Sequence, residues 1–117
     1  MEENAKPIKL LITIVNRGKG EKVEELLKSK EIKYHLICLG YGTADYEILD
    51  YLGLGETDKD IVLSVVGYNK VPEILDFLSD KLHFSKPGNG IAFTIPINSV
   101  GSLSTLKNLT GLLGKEQ

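Results

Sequence analysis

Apolar positions fall into four continuous runs, which predict four β-strands. The runs of β-branched and aliphatic residues cover positions 8–15, 33–39, 60–66 and 91–97. Each run is followed by a glycine or an asparagine, and runs of this length are typical of buried strands. Because the first run is apolar at nearly every position, both of its faces should be covered in the folded protein.

Two other stretches carry apolar residues at helical spacing and predict α-helices. The first covers about residues 21–30, with Val23, Leu26 and Leu27 on one face. In the second, Asn69 is the predicted N-cap and Pro72 lies in the first turn, where proline's missing donor costs little. Its apolar positions are Val71, Ile74, Leu75, Leu78 and Leu82.

The predicted elements follow the order β-α-β-β-α-β, which is the ferredoxin-like or split βαβ arrangement. The expected fold class is therefore α+β, with two helices on one face of a four-stranded sheet. The other sheet face would lack cover although its strands are apolar. We hypothesise that assembly with further copies of the chain covers it.

The segments outside these elements have distinct predicted roles. Residues 1–7 are polar and predict a mobile tail, residues 8–105 form one domain, and residues 106–117 form a C-terminal extension. The irregular segment 43–59 is expected to be a long loop with a short helix that Thr43 caps. Acidic residues cluster in and beside this loop and are expected to be solvated: Asp45, Glu47, Asp50, Glu56, Asp58 and Asp60.

Composition excludes several functional classes. The net charge is −2, and Arg17 is the only arginine among 14 basic residues, so a basic nucleic-acid-binding surface is not expected. The single cysteine, Cys38, cannot form an internal disulfide and fits a reducing compartment, the cytoplasm. No apolar run approaches the length of a membrane span, and no signal peptide is recognisable.

The sequence carries no recognisable catalytic or metal-ligand pattern, so neither an enzyme nor a metal site is expected. It lacks a phosphate-binding P-loop, a nucleophile elbow and zinc-ligand spacing. His35 and Cys38 lie within a predicted strand and His83 lies at a helix end, so all three are expected to be packed or surface residues.

Eight of the 12 glycines form four Gly-x-Gly pairs, whose members are Gly18 and Gly20, Gly40 and Gly42, Gly53 and Gly55, and Gly88 and Gly90. Glycine allows backbone N–H groups to converge on an anion, although a single pair usually marks only a turn. One pair, Gly40 and Gly42, ends a predicted strand, and another, Gly88 and Gly90, precedes one. These two pairs are expected to flank a cleft between subunits.

Several segments resemble the PII signalling proteins, in order, over about residues 8–105. Gly40-Tyr41-Gly42 resembles the Gly-aromatic-Gly sequence that opens the family's T-loop, and residues 86–93 resemble its B-loop. Residues 9–15, 23–27 and 65–78 resemble the family's strands and helices.

The resemblance implies a cytoplasmic homotrimer that takes part in signal transduction, such as nitrogen regulation, and is not an enzyme. It implies that ATP, ADP or AMP, with or without Mg²⁺, binds in clefts between subunits. It also implies a mobile loop that controls a target enzyme or a membrane transporter, so the protein could be recruited to a membrane by its partner.

The resemblance also implies which residues carry these roles. Nucleotide contacts are expected at Gly40, Tyr41, Gly42, Lys86, Gly88, Asn89, Gly90 and Arg17. Partner contacts are expected at Tyr46, Ile48, Leu49, Tyr51 and Leu52. These loop residues could instead form a short helix that closes on the trimer itself.

This chain departs from the family at positively charged positions. Ile91 stands where a lysine is usual, and Ser102 and Ser104 stand where an Arg-x-Arg pair is expected. Each lost charge-assisted bond is worth about 1.5–3 kcal/mol, so triphosphate binding should be weakened. The family's tyrosine-modification motif is also missing.

Two alternatives to a nucleotide-binding regulator of the usual kind remain open. One is a related trimer with a changed ligand, such as AMP or a cyclic dinucleotide, and the other is a CutA-like or purely structural trimer.

Overall fold

The computed structural model describes residues 7–41 and 58–101, which contain four strands, two α-helices and one short 3-10 turn. The strands are β1 (Ile8–Asn16), β2 (His35–Tyr41), β3 (Asp58–Gly67) and β4 (Ile91–Pro96). The helices are α1 (Gly20–Ser29) and α2 (Val71–Leu82), and the 3-10 turn is Tyr68–Lys70.

The four strands form one antiparallel sheet in the order β2-β3-β1-β4. Strand β1 is central, and Ile12 lies opposite Leu63 on one side and Phe93 on the other. Each helix connects two parallel strands that are separated by a third strand. This is the ferredoxin-like arrangement that the element order predicts. Pro96 lies at the end of the edge strand β4, where a missing N–H donor is tolerated.

Both helices pack on the same face of the sheet and enclose the core. Leu11, Val15, Val62 and Val66 point from the two central strands toward the helices, and all four are buried. Val23 and Leu27 of α1, and Ile74 and Leu78 of α2, complete this core. Fully burying one such side chain contributes about 1.5–3 kcal/mol. Neither described helix has the length or the apolar composition needed to cross a lipid bilayer.

Several element boundaries differ by one or two residues from the sequence-based predictions. Strand β2 extends to Tyr41, two residues beyond its predicted end, because Gly40 and Tyr41 pair with Lys59 and Asp58. Helix α1 begins at Gly20, one residue early. The prediction that Asn69 caps α2 is wrong: Lys70 is the N-cap residue, because Asn69 belongs to the preceding 3-10 turn.

Three adjacent rows of paired residues on the sheet face opposite the helices are apolar, and the next row on that face, Gly40–Lys59–Asn16, is polar. By register, the apolar rows are Leu36–Leu63–Ile12–Phe93, Val65–Leu10–Ile95 and Cys38–Ile61–Ile14–Ile91. Neither described helix covers this face, and Leu36, Phe93 and Ile95 have 61%, 39% and 43% of their surface exposed. Contiguous exposed apolar surface of this kind usually marks an interaction site. We call these eleven residues the apolar sheet face.

His35 is a titratable side chain on the helix-facing side of β2. Its Nδ1 lies 3.4 Å from Ser64 Oγ, and its Nε2 is buried without a hydrogen-bond partner among the described residues. Burial lowers the pKa of His35 below its ordinary value of 6.5, and the nearby Glu24 carboxylate opposes this shift without cancelling it. The folded protein therefore holds His35 in its neutral form.

This lowered pKa predicts a loss of stability in mild acid. Below pH 6.5 the unfolded chain binds a proton at His35 more readily than the folded chain does, so the free energy of unfolding should fall as pH falls toward the folded-state pKa. Urea unfolding at pH 7.5 and 5.5 would measure this loss. The variant His35→Gln should show a smaller pH dependence than the wild type. His83→Gln, at an exposed position, is the control, and an equal reduction there would contradict the assignment to His35.

Candidate functional site

The turn at residues 86–90 joins the end of α2 to β4 and is held against the end of β1. The Asn16 side-chain amide donates a hydrogen bond to the Gly88 carbonyl at 3.0 Å. The same Asn16 accepts a hydrogen bond from Lys59 Nζ at 2.7 Å through its Oδ1. The sequence-predicted residue Gly88 is therefore held against the end of β1, which Lys59 links to the start of β3.

Asn89 stabilises the end of α2. Its side-chain amide donates to the carbonyls of His83 and Leu82, at 3.0 and 3.5 Å. Its backbone N–H donates to the Lys86 carbonyl at 3.2 Å, which closes the turn. The N–H of Asn89 is thus engaged within the protein, whereas Lys86 lies exposed at the start of the turn.

Gly90 is required by the backbone itself. Its φ is +136°, a conformation that side-chain-bearing residues rarely adopt. A β-carbon there would lie 2.6 Å from the Ile14 carbonyl oxygen and 2.9 Å from the Phe84 ring. Any substitution would displace β1, so the role of this turn in ligand binding must be tested at other residues.

Asp60 and Arg17 form a second cluster, beside the start of α1. Asp60 Oδ2 accepts hydrogen bonds from the backbone N–H groups of Gly18 and Gly20, both at 2.9 Å. Its Oδ1 lies 3.2 Å from Arg17 Nε. The glycine pair therefore does converge on an anion, but the anion is a carboxylate of the protein. The prediction that Asp60 is solvated is wrong, because β3 places it opposite Val15 and under the start of α1.

Arg17 also binds both strand ends that flank the segment 42–57. Its Nη2 donates to the Gly40 carbonyl at 2.8 Å, and its Nε donates to the Lys59 carbonyl at 3.2 Å. Of the predicted T-loop hinge residues, Gly40 and Tyr41 continue β2, while Gly42 lies outside the described residues. One arginine thus holds the end of β2 and the start of β3 together.

Lys59 connects the two clusters and was not identified from the sequence. Its carbonyl binds Arg17, its ammonium binds Asn16, and the residue is 5% exposed. The structure therefore brings Arg17 and Gly40 together, and links them through Lys59 and Asn16 to Gly88. The predicted partner-contact residues between 46 and 52, and Ser102 and Ser104, lie outside the described residues.

Two open cavities adjoin the turn at residues 86–90. One, of about 420 Å³, lies between α2 and β4, and its lining includes Leu75, Phe84, Gly90 and Ile91. The other, of about 360 Å³, lies between the start of α1 and the end of α2, and Asn89 forms part of its wall. In residues 7–41 and 58–101 no cluster of histidine, cysteine or acidic side chains could hold a metal ion.

Comparison by sequence finds no matching family model and no matching curated protein. Comparison by structure finds CPII, a nitrogen regulatory PII-like protein from Thiomonas intermedia K12 bound to ADP, AMP and bicarbonate. The match has a TM-score of 0.61 and 19% identity, and it covers 83% of this chain and 97% of CPII. The chain has a PII-like fold.

Other solved structures share this PII-like fold. A candidate PII-like signalling protein from Thermus thermophilus matches with a TM-score of 0.59 and 17% identity, covering 79% of this chain and 87% of that protein. A protein of unknown function from Pediococcus pentosaceus matches with a TM-score of 0.60 and 13% identity, covering 85% of this chain and all of that protein. At these identities the likeness establishes the fold, which the resemblance in the sequence predicted.

The Asp60 cluster predicts a large effect from a small substitution. Asp60→Asn keeps the side-chain shape but removes the charge that holds Gly18, Gly20 and Arg17. Hydrogen bonds to a charged group contribute about 1.5–3 kcal/mol, so urea unfolding should show a loss of about 2 kcal/mol or more. The exposed Asp58 gives the control Asp58→Asn, which should change stability by less than about 0.5 kcal/mol. Equal effects of the two substitutions would contradict the structural role of Asp60.

Proposed function

We propose that the protein is a PII-like regulator, not an enzyme. In this proposal it assembles as a homotrimer, binds an adenine nucleotide in the clefts between subunits, and controls a target protein through the segment 43–59. Partner contacts are assigned to Tyr46, Ile48, Leu49, Tyr51 and Leu52. Ligand binding would act by changing the population of loop conformations, in proportion to its differential affinity for them.

The observation that carries the proposal is the structural likeness to CPII, whose structure contains ADP and AMP. The likeness extends over 83% of this chain and 97% of CPII. The anchored turn at residues 86–90 supports the same proposal, because it is fixed before any ligand arrives. A preformed site loses less conformational entropy on binding.

Within this site each predicted residue has a proposed role. Gly88 and Gly90 bring the backbone close to a phosphate group, Asn89 between them holds the turn against the end of α2, and Lys86 supplies positive charge. Gly40, Tyr41 and Gly42 lie where the mobile segment begins. Arg17 acts indirectly, because its guanidinium already binds Asp60, Gly40 and Lys59; it positions the strand ends beside the cleft.

The charge of the site favours a nucleotide with few phosphates. Ile91 takes the place of a lysine, and Arg17 is committed to contacts within the protein. Lys86 is then the one positive side chain assigned to the ligand. We therefore expect ADP or AMP to bind more tightly than ATP.

Adenine nucleotides should raise the thermal stability of the protein. A ligand at about 100 times its dissociation constant adds roughly 2.7 kcal/mol to the free energy of unfolding. A melting series with ATP, ADP, AMP, cyclic nucleotides and cyclic dinucleotides, with and without Mg²⁺ and 2-oxoglutarate, would identify the ligand. Lys86→Gln should weaken ADP binding by about tenfold, or roughly 1.4 kcal/mol.

Lys28→Gln removes the same charge from the exposed side of α1 and should leave ADP affinity unchanged. A protein that no nucleotide stabilises would contradict the proposed ligand and favour the structural-trimer alternative.

The apolar sheet face predicts the mode of assembly. Light scattering should give three times the mass of one chain. Phe93→Glu places a charge on the apolar sheet face and should lower this mass toward that of a monomer, because an unpaired charge is costly to bury. Tyr68→Glu changes a more exposed aromatic residue outside that face, 54% exposed against 39% for Phe93, and should leave the mass unchanged. A monomeric wild-type protein would exclude the trimer.

A further inference from the structure

The cavity between the start of α1 and the end of α2 is lined by three lysines. Lys19 and Lys22 belong to the N-cap and first turn of α1, and Lys81 belongs to the last turn of α2. No aspartate or glutamate is among the described residues that line the cavity. Three positive charges of like sign therefore border one volume of about 360 Å³, in a protein whose net charge is −2.

Unlike Lys28 and Lys30, which lie at the end of α1, these three lysines have no acidic partner among the described residues. Lys28 pairs with Glu24 and Lys30 pairs with Glu73, at 3.8 and 3.6 Å. Within the described part of the chain, the three cavity lysines form no ion pair. Mutual repulsion among unpaired cations favours the binding of an anion between them.

The polar groups beside the cavity leave little that would repel an anion. A helix C-terminus exposes carbonyl oxygens, but the Asn89 amide donates to those of Leu82 and His83. Two described acids lie near the start of α1. Glu21, in its first turn, is exposed and is not among the described residues that line the cavity. Asp60 of β3 is turned toward Gly18, Gly20 and Arg17, where its charge is compensated. The cavity therefore keeps the positive potential of its lysines.

We propose that this cavity binds a multiply charged phosphate group, with Lys19, Lys22 and Lys81 as its ligands. Its volume equals about twelve water molecules at ~30 Å³ each, which accommodates the nine non-hydrogen atoms of a diphosphate. The diphosphate can be free, or it can be part of a larger phosphate ester. The three lysines are separate from Lys86 and Gly40 of the proposed nucleotide site, so this site goes beyond that function.

Titration calorimetry of the full chain with pyrophosphate tests the proposal. The double variant Lys22→Gln/Lys81→Gln should bind pyrophosphate at least tenfold more weakly than the wild type. All three cavity lysines are exposed, so the variant should unfold at the same urea concentration as the wild type. The matched control Lys28→Gln/Lys70→Gln removes two charges outside the cavity and should change the affinity less than twofold.

Two results would overturn the proposal. One is the absence of pyrophosphate binding to the wild type at millimolar concentration. The other is an equal loss in the control, which would mean that general charge attraction accounts for the binding.

Titration with ADP separates this site from the proposed nucleotide site. If ADP fails to bind while pyrophosphate binds and depends on Lys22 and Lys81, the cavity site is supported and the nucleotide proposal fails. If ADP binding depends on Lys86 but not on the double variant, the two sites are distinct. If ADP displaces pyrophosphate and both are weakened in the double variant, the cavity is supported as the place where the phosphates of a nucleotide bind.

Discussion

The buried carboxylate of Asp60 is the interaction on which the geometry of the candidate site depends. It accepts hydrogen bonds from the backbone N–H groups of Gly18 and Gly20, and it lies within ion-pair distance of Arg17. Arg17 in turn binds the carbonyls of Gly40 and Lys59, at the two strand ends that flank the segment 42–57. Without the carboxylate, the N–H groups of Gly18 and Gly20 at the start of α1 would lose their hydrogen-bond acceptor, and Arg17 would lose its charged partner. Both consequences follow from one side chain, because charge-assisted hydrogen bonds are the strongest polar contacts available to it.

A second constraint is the apolar character of the sheet on both faces. The helices cover the face that carries Leu11 and Val15, whereas the rows through Leu10, Ile12 and Ile14 face away from them. Removing such surface from water stabilises an assembly at about 25 cal/mol per Å². The proposed trimer and the proposed clefts are thus connected, since the association that covers the sheet would also create the clefts between subunits.

The positive charges of the molecule are divided between structure and potential ligands. Arg17 and Lys59 have partners inside the protein. Lys59 binds Asn16, and Asn16 in turn binds the Gly88 carbonyl in the turn at residues 86–90. Lys19, Lys22 and Lys81 instead line a cavity to which no acid of residues 7–41 or 58–101 contributes. This chain has serines at the two positions where the PII signalling proteins carry arginines. It nevertheless concentrates positive charge beside the helices, next to the turn at residues 86–90.

Much of the fold could be predicted from the sequence, because strand and helix periods appear directly in the spacing of apolar residues. The four strands followed from continuous apolar runs, and the two helices followed from residues such as Ile74 and Leu78, which recur at helical spacing. The glycine turn at residues 86–90 was also recognisable, since its sequence resembles that of a known loop. Boundaries were less accurate, as at Asn69, because neighbouring residues can both serve at the start of a helix.

The candidate site could be predicted only in part. Asp60 resembled five other acids around one loop, and nothing local distinguishes it from Asp58. Its partner Gly18 lies 42 positions away, and Gly88 lies 72 positions from Asn16. The three cavity lysines come from the start of one helix and the end of the other. The sequence by itself determined the elements and their order, because the apolar spacing that specifies them is local. Only the tertiary structure decided which acid is buried and which lysines share a cavity, because those environments are created by segments that meet after folding.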